Sequence, residues 1–397
     1  MVFNTVRSLS LSLLFLAILS IGFTVASVFL LPTATSKVAL AHSSSMDSTT
    51  TTSKPYFTFG IISDIQYAPI PDGYSTYGTQ RFFQYSKDAA AQAAKHFEQE
   101  QIPLVVNLGD IIDGKCQEIA KHAGVPMEEG VNVGMECTDR VLEALSTYTC
   151  GKLLHTYGNH ELYNLSREQI GKKLNIPMVQ ERPDKDGVGS YVGYFSYLAI
   201  TNSGRNLRLV VIDSYDIAIL GHPKDSPKRI KAEAIMARNN PKDVHPETPK
   251  KESEEFQERF EMINGAVDEP QLRWLRKTLT KARENKELCI IISHQPILPK
   301  SCFSVTLMWN YDEVLQVLRE FKDVVVLSLA GHDHRGGYQI DEESGIHFRV
   351  VEGTVETPPP GVTYGFVDMY PKKIVVRGFG GCKSAEYDLS RMQQARV

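Results

Sequence analysis

Short apolar runs rich in β-branched residues, each followed at once by a polar motif, limit the fold of this chain more than any other feature. The runs that we predict as buried strands are Phe57–Ser63, Leu104–Leu108, Leu153–Tyr157, Leu207–Ile212, Leu288–Ser293 and Val324–Ala330. The stretches that we predict as helices are Thr79–Gln99, Pro270–Glu284 and Tyr311–Phe321. Strands that alternate with helices indicate an α/β architecture.

Toward the C-terminus the alternation gives way to strands alone. The additional predicted strands are His347–Val351, Tyr364–Met369 and Lys373–Gly378. A mixed sheet, or two sheets packed together, accommodates this order better than a fully parallel sheet. At the start of two predicted helices, Asp268 with Gln271 and Asn310 with Glu313 have the spacing of capping pairs.

The sequence divides into an N-terminal segment, a single folded domain and a short tail. The predicted bounds are residues 1–54 for the segment with its Ser/Thr-rich tether, residues 55–382 for the domain and residues 383–397 for the tail. Within the domain, residues 221–265 are charged and contain proline, with little apolar periodicity. We interpret this stretch as an inserted loop or flap.

The N-terminal segment carries no charged residue from Leu9 to Leu31. A run of about 20 apolar residues can span a bilayer, whereas the core of a signal peptide is nearer to about 7–15 residues. Serines within the run and the triplet Ala39-Leu40-Ala41, which resembles a cleavage site, argue for a signal peptide. A cleaved signal, a membrane anchor and a mispredicted start codon therefore stay open, and the first two predict an exported or membrane-associated protein.

Charge and cysteine content exclude some classes of protein. The formal net charge is −4 and the chain has no dense basic block, which argues against nucleic acid as a partner. Six cysteines in 397 residues do not make a disulfide framework, and no CxxC pair suggests zinc. Cys116, Cys137 and Cys150 lie in one stretch, where either a disulfide in an exported domain or three free thiols would be compatible with the sequence.

Five polar motifs stand at or just after the ends of predicted strands. They are Asp64-Ile65-Gln66, Gly109-Asp110, Gly158-Asn159-His160-Glu161, Ser293-His294 and Gly331-His332-Asp333-His334. Loops after the carboxyl ends of strands are where α/β folds place ligands and chemistry. A single Asp or His at such a place is usually a cap or a structural residue, but five motifs in order indicate a functional site.

These motifs resemble the signature D-x-[HQ]…G-D…G-N-H-[ED]…H…G-H-x-H of the calcineurin-like metallophosphoesterases, over most of Phe57–Phe379. Within that superfamily the chain is most similar to the manganese-dependent ADP-ribose/CDP-alcohol diphosphatases. The strings that carry this closer resemblance are Ser63–Tyr67, Leu108–Gly114, Gly158–Asn164, Asp213–Asp216, Trp309–Tyr311, Gly336–Tyr338 and Glu352–Thr357. The resemblance implies an α/β sandwich of two mixed β-sheets packed together, with helices on both outer faces.

The family pattern implies a pair of divalent metal ions. The residues that it implies as ligands are Asp110 as the bridge, Asp64, Gln66 and His334 at one ion, and Asn159, His294 and His332 at the other. A carboxylate suits the bridge because two cations about 3.5–4 Å apart need one ligand that touches both. Solvent held between the ions loses a proton near neutral pH and becomes the attacking hydroxide, while the ions neutralise the phosphate oxygens.

Three further positions carry specific expectations. Gln66 stands where many relatives have histidine, and its harder amide oxygen favours Mn²⁺, or Mg²⁺, over zinc or iron; alternatively it hydrogen-bonds its own loop. The resemblance implies that His160 acts on the leaving group as an acid or charge stabiliser and is not a metal ligand. Glu161 could orient an imidazole or serve as a carboxylate at a helix N-terminus.

The substrate needs a cation for its phosphate and a stacking face for its nucleoside. The residues predicted to supply these contacts are Arg81, Tyr85, Trp309 and Tyr311, all of which could equally be packing residues.

The function that the resemblance implies is hydrolysis of the pyrophosphate bond in nucleoside diphosphate derivatives. ADP-ribose would give AMP and ribose 5-phosphate, and CDP-choline would give CMP and phosphocholine. The alternatives are a phosphomonoesterase or cyclic-nucleotide phosphodiesterase on the same metal site, and an inactive scaffold, against which the presence of all seven ligands argues. We expect nucleotide-linked small molecules as partners, a monomeric protein, and membrane association through the N-terminal segment, although the resembled family is typically cytosolic.

Overall fold

The computed structural model describes residues 54–114, 116, 132–181, 190–240 and 256–390. The predicted N-terminal signal or anchor and the last seven residues of the predicted tail lie outside these ranges. In the part that is described, no helix is both long enough and apolar enough to cross a membrane.

The described residues form eighteen strands and seven α-helices. The strands are β1 Phe57–Ile62, β2 Gly73–Tyr74, β3 Gln80–Arg81, β4 Leu104–Asn107, β5 Lys152–His155, β6 Val179–Glu181, β7 Ser190–Val192, β8 Phe195–Ala199, β9 Leu207–Val211, β10 Ile217–Ala218, β11 Gly265–Ala266, β12 Leu288–Ile292, β13 Val325–Ala330, β14 Gly337–Ile340, β15 His347–Val350, β16 Thr363–Met369, β17 Lys373–Gly380 and β18 Ala385–Asp388. The α-helices are α1 Tyr85–Gln99, α2 Val133–Leu145, α3 Asn159–Asn164, α4 Arg167–Lys173, α5 Pro227–Asn239, α6 Glu269–Glu284 and α7 Tyr311–Glu320. Short 3₁₀ helices occur at Gln257–Arg259, Ser304–Thr306 and Thr354–Glu356.

Two six-stranded mixed sheets form the framework. The strand order is β18-β17-β16-β1-β4-β5 in the first sheet and β14-β15-β13-β12-β9-β8 in the second. Strands β1, β4 and β5 run parallel in the first sheet, and so do β9, β12, β13 and β15 in the second. The carboxyl ends of parallel strands share one edge of their sheet, so the loops that carry the predicted motifs emerge together.

The two sheets pack face to face through a buried apolar layer. Phe59 and Val106 of the first sheet and Leu209 and Ile290 of the second belong to one core cluster. Helices α1 and α2 cover the outer face of the first sheet, and α6 and α7 cover the outer face of the second. These layers confirm the predicted α/β sandwich.

The helices bury the faces that their sequence periodicity indicates. In α1 the buried residues Ala90, Ala93, Ala94 and Phe97 follow the i, i+3, i+4, i+7 spacing of one helix face. The predicted apolar face of α6, which runs from Leu272 to Ala282, is likewise buried.

Helix α1 is shorter than predicted, beginning at Tyr85 and not at Thr79. Gln80–Arg81 instead form a strand that pairs with Gly73–Tyr74. The next residue, Phe82, donates its N–H to the carbonyl of Val355 at 2.8 Å, which holds the chain extended until the helix begins. The helical prediction was wrong here because a tertiary pairing overrides a local preference.

The segment Gly221–Gly265, predicted as a loop or flap, contains the helix α5. Its N-cap is Ser226, whose side chain accepts the N–H of Arg229, and Pro227 occupies the first helical position. Ser followed by Pro is a helix-start signal, but the low apolar content of the segment concealed it. Residues 241–255 lie outside the described ranges, and action as a flap stays a prediction.

The sheet continues past the predicted domain boundary at Cys382. Strand β18, Ala385–Asp388, pairs with β17, and Leu389 donates its N–H to the carbonyl of Lys372 at 2.7 Å. The predicted boundary is too early because β18 has only one fully buried side chain, that of Tyr387, and so shows little alternation.

Neither predicted capping pair forms as such. Asp268 does cap α6, but the side chain of Gln271 hydrogen-bonds the backbone N–H and C=O of Asp213 instead. Asn310 makes no side-chain cap on α7 and binds both backbone groups of Val267. Gln271 is thus taken by a partner distant in sequence, whereas Asn310 binds both the distant Val267 and, through its Nδ2 at 2.7 Å, the Oε2 of Glu313 on its own helix.

All six cysteines are free thiols. The thiol of Cys116 donates to the carbonyl of Asp113 at 2.7 Å, whereas the Sγ of Cys150 lies 3.4 Å from the carbonyl of Ile102. Cys116 and Cys137 are buried in one apolar cluster, and Cys150 packs against it.

Candidate metal centre and active site

The structure brings all seven predicted ligands to one place between the two sheets. Asp64 and Gln66 follow β1, Asp110 follows β4 and Asn159 follows β5, while His294, His332 and His334 follow β12 and β13. The Oδ2 of Asp110 lies 3.2 Å from the Nε2 of His294 and 3.2 Å from the Nε2 of Gln66. The centre is thus built from the loops at the carboxyl ends of parallel strands.

Asp110 lies between two groups of side chains. In one group, the Nε2 of His334 lies 3.3 Å from the Oδ1 of Asp64 and 2.9 Å from the Nε2 of Gln66. In the other group, the Oδ1 of Asn159 is 3.3 Å from the Nε2 of His294.

The second group also includes His332. The imidazole rings of His294 and His332 are 4.9 Å apart, and ligand atoms of these two residues and Asp110 all lie within 4.8 Å of one another. The division into two groups around Asp110 is the one that the family pattern implies, and each group draws on both sheets.

Four of the seven residues have left-handed backbones. The φ angles are 50° at Asp64, 45° at Gln66, 56° at Asp110 and 70° at His332. Such conformations cost non-glycine residues on the order of 1–3 kcal/mol each and tend to cluster at functional sites. Hydrogen bonds from Asp64 N to Gly109 O (3.1 Å) and from Gln66 N to Asp110 O (2.8 Å) hold these turns in place.

Close packing of the loops requires glycine at position 158. A Cβ atom on Gly158 would overlap both the carboxylate and the backbone N of Asp110. The motif that begins with Gly158 can therefore approach Asp110 closely only because this residue has no side chain.

The surroundings of the Gln66 side-chain amide suit a metal ligand better than a residue that hydrogen-bonds its own loop. Its Nε2 faces Asp110 and His334, and its buried Oε1 has no hydrogen-bond partner among the described residues. A turn of the amide by 180° would place the oxygen between Asp110 and His334, where a cation would be bound. An orphaned acceptor at this position is an observation that favours a metal ligand.

The charges of the centre suit metal binding. Burial opposes ionisation of Asp110, but the neighbouring His294 and His160 outweigh it and hold the pKa of this carboxyl far below its usual range. Burial lowers the pKa of His332 to about 3, whereas the carboxylates of Asp110 and Asp64 outweigh burial and raise the pKa values of His294 and His334 to about 9. Because metals bind neutral imidazoles, a cation here would displace a proton from His294 and from His334.

His160 faces the cavity beside this group. Its Nε2 lies 3.8 Å from the Oδ2 of Asp110, and its Nδ1 lies 3.1 Å from the Oδ1 of the buried Asp113. Burial lowers the pKa of His160, but Asp110 and Asp113 together raise it above the usual value. Sequence reasoning gave Asp113 no role, although its position three residues after Asp110 in the same motif is a signal that could have been used.

Glu161 supports the loop of Asp110. Its Oε2 accepts the backbone N–H groups of Asp110 at 3.2 Å and Gly158 at 2.9 Å, and its Oε1 accepts that of Ile111. Burial and the nearby Asp110 raise the pKa of Glu161 to about 7. Of the two roles left open by the sequence, the carboxylate at a helix N-terminus describes these contacts, since within the described part of the chain Glu161 binds backbone amides and no imidazole.

A cavity of about 460 Å³ opens over the predicted ligands. Arg81, a predicted substrate contact, lines it, with its Nε 4.0 Å from the Oε1 of Glu356. The aromatic side chains that line it are Tyr74, Tyr77, Phe83 and Tyr163. The first two are each 71% exposed: Tyr74 ends β2, and Tyr77 lies in the turn between β2 and β3. Sequence reasoning missed these tyrosines, although two tyrosines in a stretch without apolar periodicity were a usable signal.

The other three predicted substrate contacts lie elsewhere. Trp309 is buried against Phe260, and its Nε1 donates to the carbonyl of Glu261. Tyr85 starts α1 and donates its hydroxyl to the carbonyl of Gly361.

Tyr311 lines a different cavity, where its ring contacts Phe256 at 6.1 Å. Trp309, Tyr85 and Tyr311 therefore do not line the cavity over the predicted ligands, and substrate contact by these residues stays a prediction.

Comparison with known proteins places these observations in a family. Residues 57–336 match the calcineurin-like phosphoesterase family. The chain is 33% identical over 330 residues to the manganese-dependent ADP-ribose/CDP-alcohol diphosphatase of Oryza sativa, with 82% of this chain and 92% of the relative covered. It is 31% identical over 340 residues to the protein of that name from Homo sapiens, covering 83% and 91% of the two chains.

A solved structure agrees with these relatives. The crystal structure of a dimetal phosphatase from Danio rerio superposes with a TM-score of 0.71 at 29% identity, covering 85% of this chain and all of that one.

Proposed function

Because the chain belongs to the calcineurin-like phosphoesterase family, we propose that it is a dinuclear-metal hydrolase that cleaves the pyrophosphate bond of nucleoside diphosphate derivatives. ADP-ribose would yield AMP and ribose 5-phosphate, and CDP-alcohols would yield CMP and a phosphoalcohol. The names of the relatives that match over more than four fifths of this chain support this substrate class. The observation that carries the proposal is the convergence of six side chains with oxygen or nitrogen donors around the carboxylate of Asp110.

The donor set fits two divalent ions. Asp110 would bridge them, as the family pattern implies. The ligands that we assign are Asp64, Gln66 and His334 at one ion and Asn159, His294 and His332 at the other. A carboxylate, an amide oxygen and imidazole together suit Mn²⁺, with Mg²⁺ as the alternative. When bound, two such ions supply the positive charge that neutralises phosphate oxygens and makes water a nucleophile near neutral pH.

The protein's own groups act on the leaving side of the phosphate. The contact between Nδ1 of His160 and the carboxylate of Asp113 leaves Nε2 facing the cavity. A proton held at Nε2 can pass to the departing phosphate oxygen, and general acid catalysis of this kind contributes about 10²–10⁴-fold.

The rest of the substrate needs contacts with protein. Arg81 is a cation in the cavity wall, and the exposed Tyr77 and the half-buried Tyr163 offer aromatic faces. Because remote contacts lower the barrier only when the remote groups are present, a pyrophosphate with a nucleoside should react faster than a simple phosphomonoester.

Product identity tests the proposal. With Mn²⁺, and in parallel with Mg²⁺, ADP-ribose should release AMP without free phosphate, and added AMP should persist. CDP-choline should give CMP and phosphocholine. Rapid release of phosphate from AMP or p-nitrophenyl phosphate, or turnover of a cyclic nucleotide with ADP-ribose and CDP-choline untouched, would contradict the proposed substrate class.

A further inference from the structure

We propose that Asn264 is a positioning residue of the metal centre, which fixes the imidazole of His332 in the tautomer whose Nδ1 is free to bind a metal ion. The inference rests on the metal pair of the proposed function. Asn264 lies outside the five motifs, at the end of the segment predicted as a loop or flap and directly before β11.

The amide of Asn264 has a single orientation that satisfies its neighbours. Its Nδ2 donates to the carbonyl of Arg259 at 2.8 Å and to the carbonyl of Val305 at 2.7 Å. Carbonyl oxygens only accept, so both amide hydrogens are engaged and Oδ1 is the atom that faces His332. Asn264 is wholly buried, which leaves no solvent to satisfy the reversed amide.

This orientation determines where His332 carries its hydrogen. The Nε2 of His332 lies 2.7 Å from the Oδ1 of Asn264. An amide oxygen cannot donate a hydrogen, so Nε2 is the N–H donor in this contact. In a neutral imidazole the lone pair is then on Nδ1, which is the only ring nitrogen left for a cation.

The other two histidines of the centre have the opposite arrangement. The Nδ1 of His294 lies 2.7 Å from the carbonyl of Leu108, and the Nδ1 of His334 lies 3.0 Å from the Oε1 of Glu356. These acceptors place a hydrogen on Nδ1, and the Nε2 atoms face other predicted ligands, Asp110 in the case of His294 and Asp64 in the case of His334. Each ring is therefore set by its own acceptor, and for His332 that acceptor is Asn264.

The same amide connects the metal centre to the cavity wall. Val305, whose carbonyl accepts from Asn264, lines the cavity over the predicted ligands, as does Ile263 next to Asn264 in the chain. A change at Asn264 would thus act first on the ring of His332 and secondarily on this wall.

Nitrogen-15 NMR of histidine-labelled, Mg²⁺-loaded protein tests the tautomer directly, because Mg²⁺ is diamagnetic. His332, identified by comparison with His332→Gln, should show a protonated Nε2 and an unprotonated Nδ1, and His294 and His334 should show the reverse. A protonated Nδ1 on His332 would overturn the proposal.

Titration with Mn²⁺ tests the consequence for binding without any assay of turnover. In Asn264→Ala one of the two ions should bind about 10–100-fold more weakly, the usual effect of removing a partner that orients a metal ligand. Asn264→Asp keeps the acceptor and loses both donors, so its affinity should stay nearer to that of the unchanged protein.

Asn310→Ala is the matched control. Asn310 also holds a backbone segment through its side-chain amide, at Val267, but contacts none of the predicted ligands. It should leave both Mn²⁺ affinities unchanged, and a loss equal to that of Asn264→Ala would contradict a specific role for Asn264.

A double-mutant cycle separates action through His332 from a general structural effect. Introduced into His332→Ala, Asn264→Ala should cause no further loss of Mn²⁺ affinity. An equal loss in both backgrounds would make Asn264 a structural residue only. If His332→Ala alone binds both ions normally, the ligand assignment of the proposed function is wrong instead.

Discussion

At the scale of single residues, Asp110 makes contacts with both of its carboxylate oxygens. Oδ1 accepts the backbone N–H of His160 at 2.8 Å, and Oδ2 faces His294 and Gln66. Asp110→Ala removes the negative charge shared by two cations, so activity should fall by several orders of magnitude in a Mn²⁺ assay. The circular dichroism spectrum should be retained, since Asp110 lies after a strand and not in the apolar core.

Asp88→Ala, at an exposed position in the first turn of α1, is the control for Asp110→Ala and should keep full activity. Near-normal turnover of Asp110→Ala with Mn²⁺ would contradict the two-metal assignment.

His160 should affect the rate more than the metal content. His160→Ala should lower kcat by about 10²–10⁴-fold while metal analysis still finds about two ions per chain. Asp113→Asn should lower kcat less, because it weakens only one of two contacts at Nδ1 of His160, the other being with the backbone N–H of Gly114, and should add nothing to His160→Ala. Loss of metal from His160→Ala would instead identify His160 as a ligand.

The residues that gather around Asp110 could be predicted one by one, whereas the residues that line the cavity above them could not. Asp64, Gln66 and Asp110 stand in short strings at fixed spacing after strands, which restricts what they can do. Trp309 has no comparable restriction, since an indole in a similar string packs equally well against Phe260. Asn264 lies in no motif, and its contact with His332 joins residues 68 positions apart.

At the scale of elements, β5 ends with a buried histidine. Burial lowers the pKa of His155 to about 4, and its Nδ1 has no hydrogen-bond partner among the residues that the structure describes. In the unfolded chain His155 has an ordinary pKa near 6.5, so as the pH drops the unfolded chain takes up a proton before the folded protein does. The free energy of unfolding therefore falls as the pH drops from about 6.5 toward 4.

Between pH 7 and pH 5, His155 should lower the free energy of unfolding of the unchanged protein by about 2 kcal/mol, at about 1.4 kcal/mol per pKa unit. In His155→Phe this part of the decrease should be absent. Urea denaturation at both pH values measures this difference. His222, whose pKa burial and Arg167 lower to about 3, gives a second test through His222→Phe. An unchanged pH dependence in both variants would contradict the prediction.

Elements with strong apolar runs were predictable, and short paired elements were not. Strand β13 is buried along its whole length, and its sequence shows this. The two-residue strands Gly73–Tyr74 and Gln80–Arg81 exist only because they pair with each other, and that pairing leaves no local pattern.

At the scale of the whole molecule, the sequence predicted the α/β class but not how the strands divide between sheets. Strand β16 pairs with β1, more than 300 positions away, and no periodicity records such a partner. A monomeric state and membrane association through the N-terminal segment stay predictions.

A chain that begins at Lys54 should retain full activity, because every residue of the candidate site lies between Asp64 and Glu356. The check is kcat/KM for ADP-ribose beside the full-length protein. Mass spectrometry of the native protein then distinguishes a start after Ala41, as expected for a cleaved signal, from an intact Met1, as expected for an anchor. Loss of turnover on truncation would show that the segment contributes to the site.

The sharing of ligands between the sheets has a consequence for how the protein reaches its active state. Asp64, Asp110 and Asn159 come from the first sheet and His294, His332 and His334 from the second, so neither sheet alone offers a full set to either ion. A nascent chain or a folding intermediate with only one sheet formed would therefore hold manganese weakly. Tight binding of both ions should be the last step of folding, after the two sheets have packed together. The bound ions would then slow the separation of the two sheets.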